Sequence, residues 1–551
     1  MSDTNFYGKM VDVKENVSIT ENGMEGYKHT DHALVDFNFK VASYRTQAGQ
    51  AVTDFKKVLK ENEAYTLKYL MYLRDAREGV GERDLYKTCM LELLKSNVAN
   101  KNEIVSTIIA QTPEYGRWDD LWVLLDTQYK AEVVNAVKIQ LAADMKKLVE
   151  SKGEHTESIS LLGKWMPSEN ASSRETKRLA HLFISELGAT PRSYRKMLSA
   201  LRGKLNVVET LACANEWEKI DYNTVPSKAN LKYKNAFLAH DEERRRTFLS
   251  KAIAGDKDVK VHMTVAFPHE IVHKYGRGYN LAYDQSLEAY WKNLKPCVGL
   301  KDTIVVRDGS GSMTSRVGGT DITAMDVSTA LAIYCSQYLE GSFKNKFITF
   351  SSQAQLVDLS SAGSLKSKLE TTYRHGDCEN TNIENVFELI LKTARESHMK
   401  AEDLPSTVLV ISDMEFDPSS DTNRGWWNSG MNAGSNVFTK MDAKYKYYGY
   451  KLPKLAFWNV NSRTGTIPCQ YNDNGVLLIS GFSQNVLSMV MNGKTDPYDA
   501  LVEELNKERY ANIPLVSFGG DVAPTASRTA RGTRKSSSRN TKNVEMPEFL
   551  K

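Results

Sequence analysis

The stretch that decides the fold is Thr303-Ile-Val-Val-Arg-Asp308-Gly-Ser310-Gly-Ser312-Met313. A β-branched run leads into a glycine-broken turn that carries one carboxylate and two hydroxyls. A helical pattern follows, with apolar residues three or four positions apart at Val327, Leu331, Tyr334 and Tyr338. Strand, polar turn and helix form the opening unit of a doubly wound α/β domain, in which ligands bind at the carboxyl ends of strands. The sequence therefore predicts an α/β fold with a polar site at this turn.

Two later stretches add further oxygen donors. Thr381 opens a second helical pattern, and a buried-type strand over Thr407–Ser412 is followed by the carboxylate of Asp413. The Asp-Gly-Ser-Gly-Ser stretch alone is equally well explained as a tight turn, whereas Thr381 alone is better explained as a helix cap and Asp413 alone as a solvated strand end. Hard oxygen donors in this order suit Mg²⁺ or another divalent cation. Together they predict a metal site made of Asp308, Ser310, Ser312, Thr381 and Asp413.

This order of residues resembles the metal-ion-dependent adhesion site of von Willebrand factor type A domains. The resemblance implies that Ser310, Ser312 and Thr381 coordinate the cation directly, and that Asp308 and Asp413 act largely through water. It also implies an open coordination position that accepts an acidic group from a protein partner. The chain departs from the pattern after the last carboxylate, because it reads Asp-Met-Glu-Phe where many such domains read Asp-Gly.

Composition sets the broad class of the protein. The 551 residues are 41% hydrophobic and 25% charged, which is typical of a soluble chain with at least two domains. The net charge is only +4, so a nucleic-acid surface would have to come from local clustering. The six cysteines are scattered without a Cys-x-x-Cys pair, which suits a reducing compartment. With no signal-peptide pattern and no run of ~20 apolar residues, we expect a cytoplasmic protein with no membrane association.

The patterns divide the chain into four segments: a polar flexible arm over 1–30, a helical-repeat domain over 31–295, an α/β domain over 296–520, and a basic disordered tail over 521–551. In the helical segment, short helices on short connections predict an antiparallel array. In the α/β segment, further strands are predicted at Lys346–Ser351, Lys454–Val460 and Val476–Ser480. The tail cannot bury enough apolar surface to fold alone, and its charge favours phosphate-rich partners, although a solubilising tail is the alternative.

A basic face is predicted in the helical segment. Thr190 and Pro191 mark the start of a helix, and its apolar side is formed by Tyr194, Met197, Leu198 and Leu201. Away from that side, and just upstream, lie positive charges that acids scarcely offset: Arg174, Lys177, Arg178, Arg192, Arg195, Lys196, Arg202 and Lys204. A solvated helix face explains many such runs, and a surface for a polyanion such as RNA is the interpretation we favour.

Catalytic motifs are missing from the sequence. Ser310 has Asp308 rather than glycine two positions before it, so the turn is not a nucleophile elbow. No Gly-Lys-Ser/Thr phosphate loop occurs, and no motif places a histidine beside a nucleophile. We therefore expect a protein that is not an enzyme.

A helical array followed by a von Willebrand A domain resembles the TROVE-domain proteins, the Ro autoantigen family, and in particular a little-characterised branch of them. The local likenesses are Leu73-Arg-Asp-Ala-Arg-Glu-Gly-Val-Gly-Glu-Arg83, Tyr115-Gly-Arg-Trp-Asp-Asp-Leu121, Lys164-Trp-Met-Pro-Ser168 and Trp217-Glu-Lys-Ile-Asp-Tyr222. The resemblance implies an all-α HEAT-like repeat domain followed by an α/β doubly wound von Willebrand A domain. It also implies a scaffold that binds small structured or misfolded RNA. The alternative is a metal-dependent protein-interaction module that does not bind RNA.

Overall fold

The computed structural model describes residues 16–150, 158–296, 300, 302–351, 353–376, 380–418, 437–470 and 474–518. The contacts divide the chain into two compact units. The first combines Met1–Glu92 with Asp221–Asn512, and the second combines Leu93–Ile220 with Ile513–Lys551. The predicted tail over 521–551 lies outside the described residues, as do the first fifteen residues of the predicted arm.

The described chain begins with a β-hairpin in the first unit. Strand β1 (Val17–Ile19) pairs antiparallel with β2 (Glu25–Tyr27). The backbone of Tyr27 exchanges two hydrogen bonds with that of Ile467, at 2.9 and 2.8 Å. A Cβ on Gly26 would lie 2.6 Å from the Ile467 carbonyl oxygen, so this close approach requires glycine. The prediction of a flexible arm is therefore wrong for residues 16–30, because the partner strand segment lies about 440 residues away, where no local pattern indicates it.

Four helices follow the hairpin: α1 (Ala33–Phe39), α2 (Ala48–Lys60), α3 (Thr66–Arg74) and α4 (Asp84–Lys95). Helix α1 is buried on nearly every side, and its Phe39 carbonyl accepts a 2.8 Å hydrogen bond from Asn459 Nδ2. The Ala42 N–H just beyond it donates to Ser480 Oγ at 3.0 Å. These helices therefore belong to the same unit as the sheet, and the unit boundary differs from the one predicted near residue 295.

The second unit is helical in its described part. Its elements are the end of α4, then α5 (Lys101–Tyr115), a 3₁₀ helix (Trp118–Asp126), α6 (Lys130–Glu150), α7 (Leu162–Trp165), α8 (Arg174–Glu186), α9 (Pro191–Lys204) and α10 (Val208–Cys213). As predicted, Thr190 caps α9 by accepting from the Ser193 N–H at 3.1 Å, and Pro191 occupies the first turn. The predicted apolar side of α9 is buried.

The chain returns to the first unit with α11 (Ser227–Lys232), α12 (Lys234–His240), α13 (Glu242–Ala254), α14 (Pro268–Tyr275) and α15 (Gln285–Lys292), and then enters a six-stranded sheet. The sheet strands are β3 (Thr303–Asp308), β4 (Lys346–Phe350), β5 (Ala354–Asp358), β6 (Thr407–Ser412), β7 (Lys454–Asn459) and β8 (Val476–Ser480). Their spatial order is β5-β4-β3-β6-β7-β8. All neighbours are parallel except β5, an unpredicted and partly exposed edge strand that runs antiparallel to β4.

Helices cover both faces of this sheet. They are α16 (Ala324–Gln337), α17 (Leu365–Arg374), α18 (Glu384–Glu396), α19 (Val437–Tyr447), α20 (Ser488–Met491) and α21 (Pro497–Leu505). On one face, Val306 and Val408 share a buried cluster with Phe387 of α18 and Phe438 of α19. Helix α16 packs along β3, β4 and β6 and is buried over almost its whole length. Strands covered on both faces read as continuous apolar runs, as β6, β7 and β8 do.

The observed order confirms the coarse fold class, a helical N-terminal half followed by a mostly parallel α/β region. Among the described residues, no helix has both the length and the apolar character that crossing a bilayer requires.

Candidate functional site

The predicted turn lies at the carboxyl edge of the central strand β3. Asp308 ends the strand and is completely buried, and its Oδ1 accepts a 2.9 Å hydrogen bond from the Ser310 N–H. Between them, the Gly309 N–H donates to the Phe350 carbonyl at the end of β4 at 2.9 Å. The chain then winds into a 3₁₀ helix over Gly311–Thr314. Hydrogen bonds to the ends of two neighbouring strands, β3 and β4, thus hold the turn in place.

Four of the five predicted metal ligands meet at this edge. The hydroxyls of Ser310 and Ser312 lie 3.1 Å apart, and Ser312 is hydrogen-bonded to the Asp413 carboxylate. Asp308 is tied to the end of β6, because Ser412 Oγ donates to its Oδ2 at 2.6 Å. Since β3 and β6 are adjacent and parallel, their carboxyl ends bring the two aspartates together.

Thr381, the fifth predicted ligand, is hydrogen-bonded to the segment that follows Asp413. Its backbone N–H donates to Asp417 Oδ2 at 2.9 Å, and its side chain is buried. The Asn22 carboxamide donates both to Thr381 Oγ1 at 3.3 Å and to the Glu415 carbonyl at 2.6 Å. Thr381 lies just before α18, and it is held by the loop after β6 and by the tip of the N-terminal hairpin.

The two buried aspartates repel each other. Burial raises the pKa of Asp308, partly offset by hydrogen bonds from Ser310 and Ser412. Burial, followed by the negative charge of Asp308, raises the pKa of Asp413, whereas the Arg463 guanidinium lowers it. Arg463 Nη1 lies 3.4 Å from Asp413 Oδ2, a loose contact for an ion pair. A second positive charge between the aspartates would relieve the repulsion.

Three residues near the site were not predicted: Asn22, Glu415 and Arg463. Glu415 is completely buried and accepts hydrogen bonds from the backbone N–H groups of Glu21, Arg463 and Thr464, at 2.7 to 2.9 Å. It therefore fastens the hairpin and the loop after β7 to the loop after β6. A buried carboxylate with this many donors explains why the chain carries Glu two positions after Asp413. The only sequence signal for it was the departure from Asp-Gly.

Met414 occupies the position at which many von Willebrand A domains carry glycine. Its φ is 64°, in the left-handed region that glycine adopts without strain. Its side chain is completely buried in the core cluster beneath the sheet. The backbone of this loop therefore keeps the glycine-like conformation, while the side chain contributes to the core.

The donor set fits a hard divalent cation. Asp308 and Asp413 supply carboxylate oxygens, and Ser310, Ser312 and Thr381 supply neutral hydroxyls. Nowhere in the described part of the chain are three or more His, Cys, Asp or Glu side chains grouped to hold a metal. A site here would thus consist of two carboxylates and hydroxyls, and soft metals that require thiolate or imidazole ligands are disfavoured.

The eight predicted RNA-binding residues lie in the second unit and fall into two groups. Arg178 is paired with Glu175 and Asp126, and Arg195 with Glu169. Arg202 is half-buried and donates to the carbonyls of Gly163 and Met166 at 3.0 and 2.8 Å, so it stabilises the packing of α9 and is not available to a ligand. Lys204 is half-buried.

The other four, Arg174, Lys177, Arg192 and Lys196, are exposed at the start of α8 and in the first half of α9. None of these four side chains has a hydrogen bond or an ion pair to any described residue. They are the part of the predicted basic face whose charge is open to solvent.

Comparisons with known proteins give relatives whose descriptions state no function. Residues 184–296 match the model of a family described as a domain of unknown function, DUF2828. Residues 302–518, which contain all five predicted metal ligands, match a second one, DUF7788. The chain is 29% identical over 541 residues to uncharacterized protein L728 of Acanthamoeba polyphaga mimivirus, covering 91% of this chain and 89% of that protein.

Among solved structures, the Ro (RSR) protein of Deinococcus radiodurans aligns over 85% of this chain and 94% of its own. The TM-score is 0.39 and the sequence identity is 14%. A likeness of this degree does not by itself establish a shared fold or function.

Proposed function

We propose that this chain is a non-enzymatic scaffold that binds a divalent cation at the carboxyl edge of its sheet and RNA on the basic face of α8 and α9. The observation that carries the proposal is the pair of buried aspartates, Asp308 and Asp413, with the hydroxyls of Ser310 and Ser312 beside them. Two adjacent buried carboxylates are costly unless a cation balances them.

Mg²⁺ is the cation that we favour, in a site of the von Willebrand A type. Ser310, Ser312, Thr381, Asp308 and Asp413 would hold it, and an open coordination position would accept a carboxylate from a partner. The chain's own residues fix the site: Ser412 and the Ser310 N–H orient Asp308, and Asn22 orients Thr381.

Metal binding is tested by titrating the metal-free protein with Mg²⁺ and following its thermal unfolding. A ligand that binds only the folded state stabilises it, by about 2.7 kcal/mol at a hundred times its Kd. We expect a saturable rise in Tm with Mg²⁺ and no rise with matched NaCl. A Tm that does not change up to 20 mM Mg²⁺ would refute a divalent-cation site.

RNA binding is supported by the four exposed and unpartnered charges, Arg174, Lys177, Arg192 and Lys196. Positive side chains neutralise phosphates and release counterions, so such binding weakens steeply with salt. The sequence resemblance to the Ro family adds the expectation that small structured or misfolded RNA is the ligand. Measuring the nucleic acid that copurifies with the chain, and its release with rising salt, tests this part.

The second candidate is a metal-dependent protein-interaction module without RNA binding. The observation that favours it is the engagement of Arg178, Arg195 and Arg202 within the fold, which reduces the basic face. A nucleic-acid-free preparation that shows no salt-sensitive RNA binding, yet binds an acidic peptide only when Mg²⁺ is present, would support this candidate against the first.

A further inference from the structure

A cavity opens in the first unit beside the turn that follows β3. Its volume is about 250 Å³, and Gly309, the residue between Asp308 and Ser310, forms part of its wall. The rest of the wall comes from the segment after α14, the start of α16 and the end of α17. No acidic side chain is among the described residues that line it, whereas two arginines are: Arg277 and Arg307. The cavity therefore presents two guanidinium groups and no carboxylate on its described walls.

Both arginines are held in place by neighbouring side chains. Arg307 is 3% exposed, and it donates from Nε to Thr329 Oγ1 and from Nη1 to Thr349 Oγ1, both at 3.0 Å. Arg277 donates from Nε to Asp326 Oδ1 at 3.0 Å and from Nη2 to Thr323. A guanidinium that is already oriented loses little freedom when it meets an anion, and its planar donors match the oxygens of phosphate.

Tyr373 gives an independent indication of a ligand. Its hydroxyl is buried and has no hydrogen-bond partner, although the side chain lines the same cavity as the guanidinium groups of Arg277 and Arg307. Buried polar groups are nearly always paired, so an orphaned hydroxyl at a cavity wall indicates an acceptor that enters from outside the chain. Burial raises the pKa of Tyr373 to about 12, so the hydroxyl is a proton donor at neutral pH.

Glycine and an exposed aromatic ring complete the site. A Cβ on Gly309 would lie 3.3 Å from Arg307 Nη1 and 3.2 Å from Thr349 Oγ1, so a side chain there would press on the arginine that faces the cavity. Tyr279, at the rim, is 62% exposed and lies two residues from Arg277. Exposed tyrosine rings are stacking surfaces for bases.

We propose that this cavity binds a phosphate group, held by Arg277, Arg307 and the hydroxyl of Tyr373. The phosphate comes either from inorganic phosphate or from a nucleotide whose base stacks on Tyr279. The cavity is distinct from the divalent-cation site and from the basic face of α8 and α9, and it needs neither metal nor RNA.

The test is calorimetric titration of the full chain, in EDTA and free of nucleic acid, with inorganic phosphate and with AMP. We expect saturable one-to-one binding of at least one of them. Tyr373→Phe removes only the orphaned hydroxyl, so it should weaken binding by roughly 10-fold without lowering Tm, because no hydrogen bond within the protein is lost. Tyr447→Phe, at an exposed tyrosine of α19, is the matched control and should leave binding unchanged.

One further variant, Tyr279→Ala, decides the source of the phosphate. If a nucleotide is the ligand, AMP binds more tightly than phosphate and Tyr279→Ala removes the difference; equal affinities identify free phosphate. Because the titrations are made in EDTA, binding there does not depend on a cation at the neighbouring site, which separates this cavity from the cation site. The proposal is overturned if neither ligand binds at 10 mM, or if Tyr373→Phe binds as well as the wild type.

Discussion

The carboxyl edge of the sheet and the basic face of α8 and α9 handle charge in opposite ways. At the sheet edge, Asp308, Asp413 and Glu415 are completely buried, and the hydrogen bonds of each are provided by the fold. On the basic face, Arg174 and Lys177 extend into solvent and have no partner in the described part of the chain. Buried charges cost several kcal/mol unless they are compensated, whereas exposed charges cost almost nothing.

The buried carboxylates at the sheet edge have fixed positions, so they favour one specific chemistry, the binding of a cation. An exposed basic face is compatible with any polyanion and also with solvent alone.

The largest effect is expected from Asp308→Ala combined with Ser310→Ala. The pair removes one carboxylate and one hydroxyl from the cation site. Loss of a residue that acts only through another ligand already costs about 10–100-fold in metal affinity, so the loss of both groups should lower Mg²⁺ affinity by more than about 100-fold. RNA affinity should stay within about twofold, because the basic face lies in the other unit. Calorimetry with Mg²⁺ and filter binding with RNA measure the two.

Asp358→Ala is the control for that pair. Asp358 is exposed and pairs in register with Lys346, the first residue of β4, so it lies at the opposite end of the sheet from the turn. Its Mg²⁺ affinity should match that of the wild type. Loss of both metal and RNA binding in the double variant would contradict the division of the two functions between the units.

The second-largest effect is expected from the exposed residues of the basic face. Replacing Arg174, Lys177, Arg192 and Lys196 together with glutamine removes up to four phosphate contacts. For single-stranded RNA this lowers the slope of log affinity against log salt by about 3. Between 50 and 200 mM salt the wild type should then lose about 50-fold more affinity than the variant, measured by fluorescence anisotropy. An unchanged slope would place the RNA surface elsewhere.

A buried group that stays neutral gives the third prediction. His269 stacks on Phe267 with ring centroids 5.6 Å apart, and burial lowers its pKa to about 3. Between this pKa and the pKa of ~6.5 that histidine has in an unfolded chain, only the unfolded state binds a proton at His269. The free energy of unfolding therefore falls as the pH falls through this range. At pH 5 the loss amounts to about 2 kcal/mol.

His269→Phe should remove this part of the acid sensitivity, because phenylalanine fills similar space and cannot titrate. The measurement is the Tm of wild type and variant at pH 7 and at pH 5. The Tm values of the two proteins should differ less at pH 7 than at pH 5, and the variant should have the higher Tm at pH 5. An equal fall in Tm for both would show that His269 does not contribute to the pH dependence.

The smallest effect is expected from Arg178→Gln or Arg195→Gln. Both arginines are exposed but already paired, Arg178 with Asp126 and Arg195 with Glu169. Exposed ion pairs contribute at most about 1 kcal/mol, and a paired arginine offers less free charge to a phosphate. RNA affinity should change by less than about threefold in anisotropy measurements. A larger loss would show that these pairs open when RNA binds.

Local features of the fold were predictable, because neighbouring residues decide them. The bounds of β8 were predicted at the observed residues, and those of β4 and β7 within one residue. The turn after β3 and the cap of α9 follow from residues a few positions apart. Four members of the candidate cation site were recognisable for the same reason, since each follows a strand or a turn of known type.

Long-range features were not predictable. Asn22 is hydrogen-bonded to Glu415 across 393 positions, and Arg463 is hydrogen-bonded to Glu415 across 48, so no local spacing indicates them. The assignment of α1 to the sheet unit depends on Asn459 and Ser480 in the same way. Whether Arg202 faces solvent or the carbonyls of Gly163 and Met166 depends on how α7 and α9 pack, which helical periodicity does not report.

The N-terminal hairpin cannot complete its contacts until most of the chain has been synthesised. Ser18 is hydrogen-bonded to Thr466, 448 positions later, so strand β1 leaves the ribosome long before the segment that it contacts. At the usual rate of synthesis this delay is roughly 20–90 s. Throughout it, the backbone edge of β2 that will pair with Ile467 is open to other strands. Nascent chains should therefore depend on a chaperone, or on rapid completion, to avoid pairing of this edge between molecules.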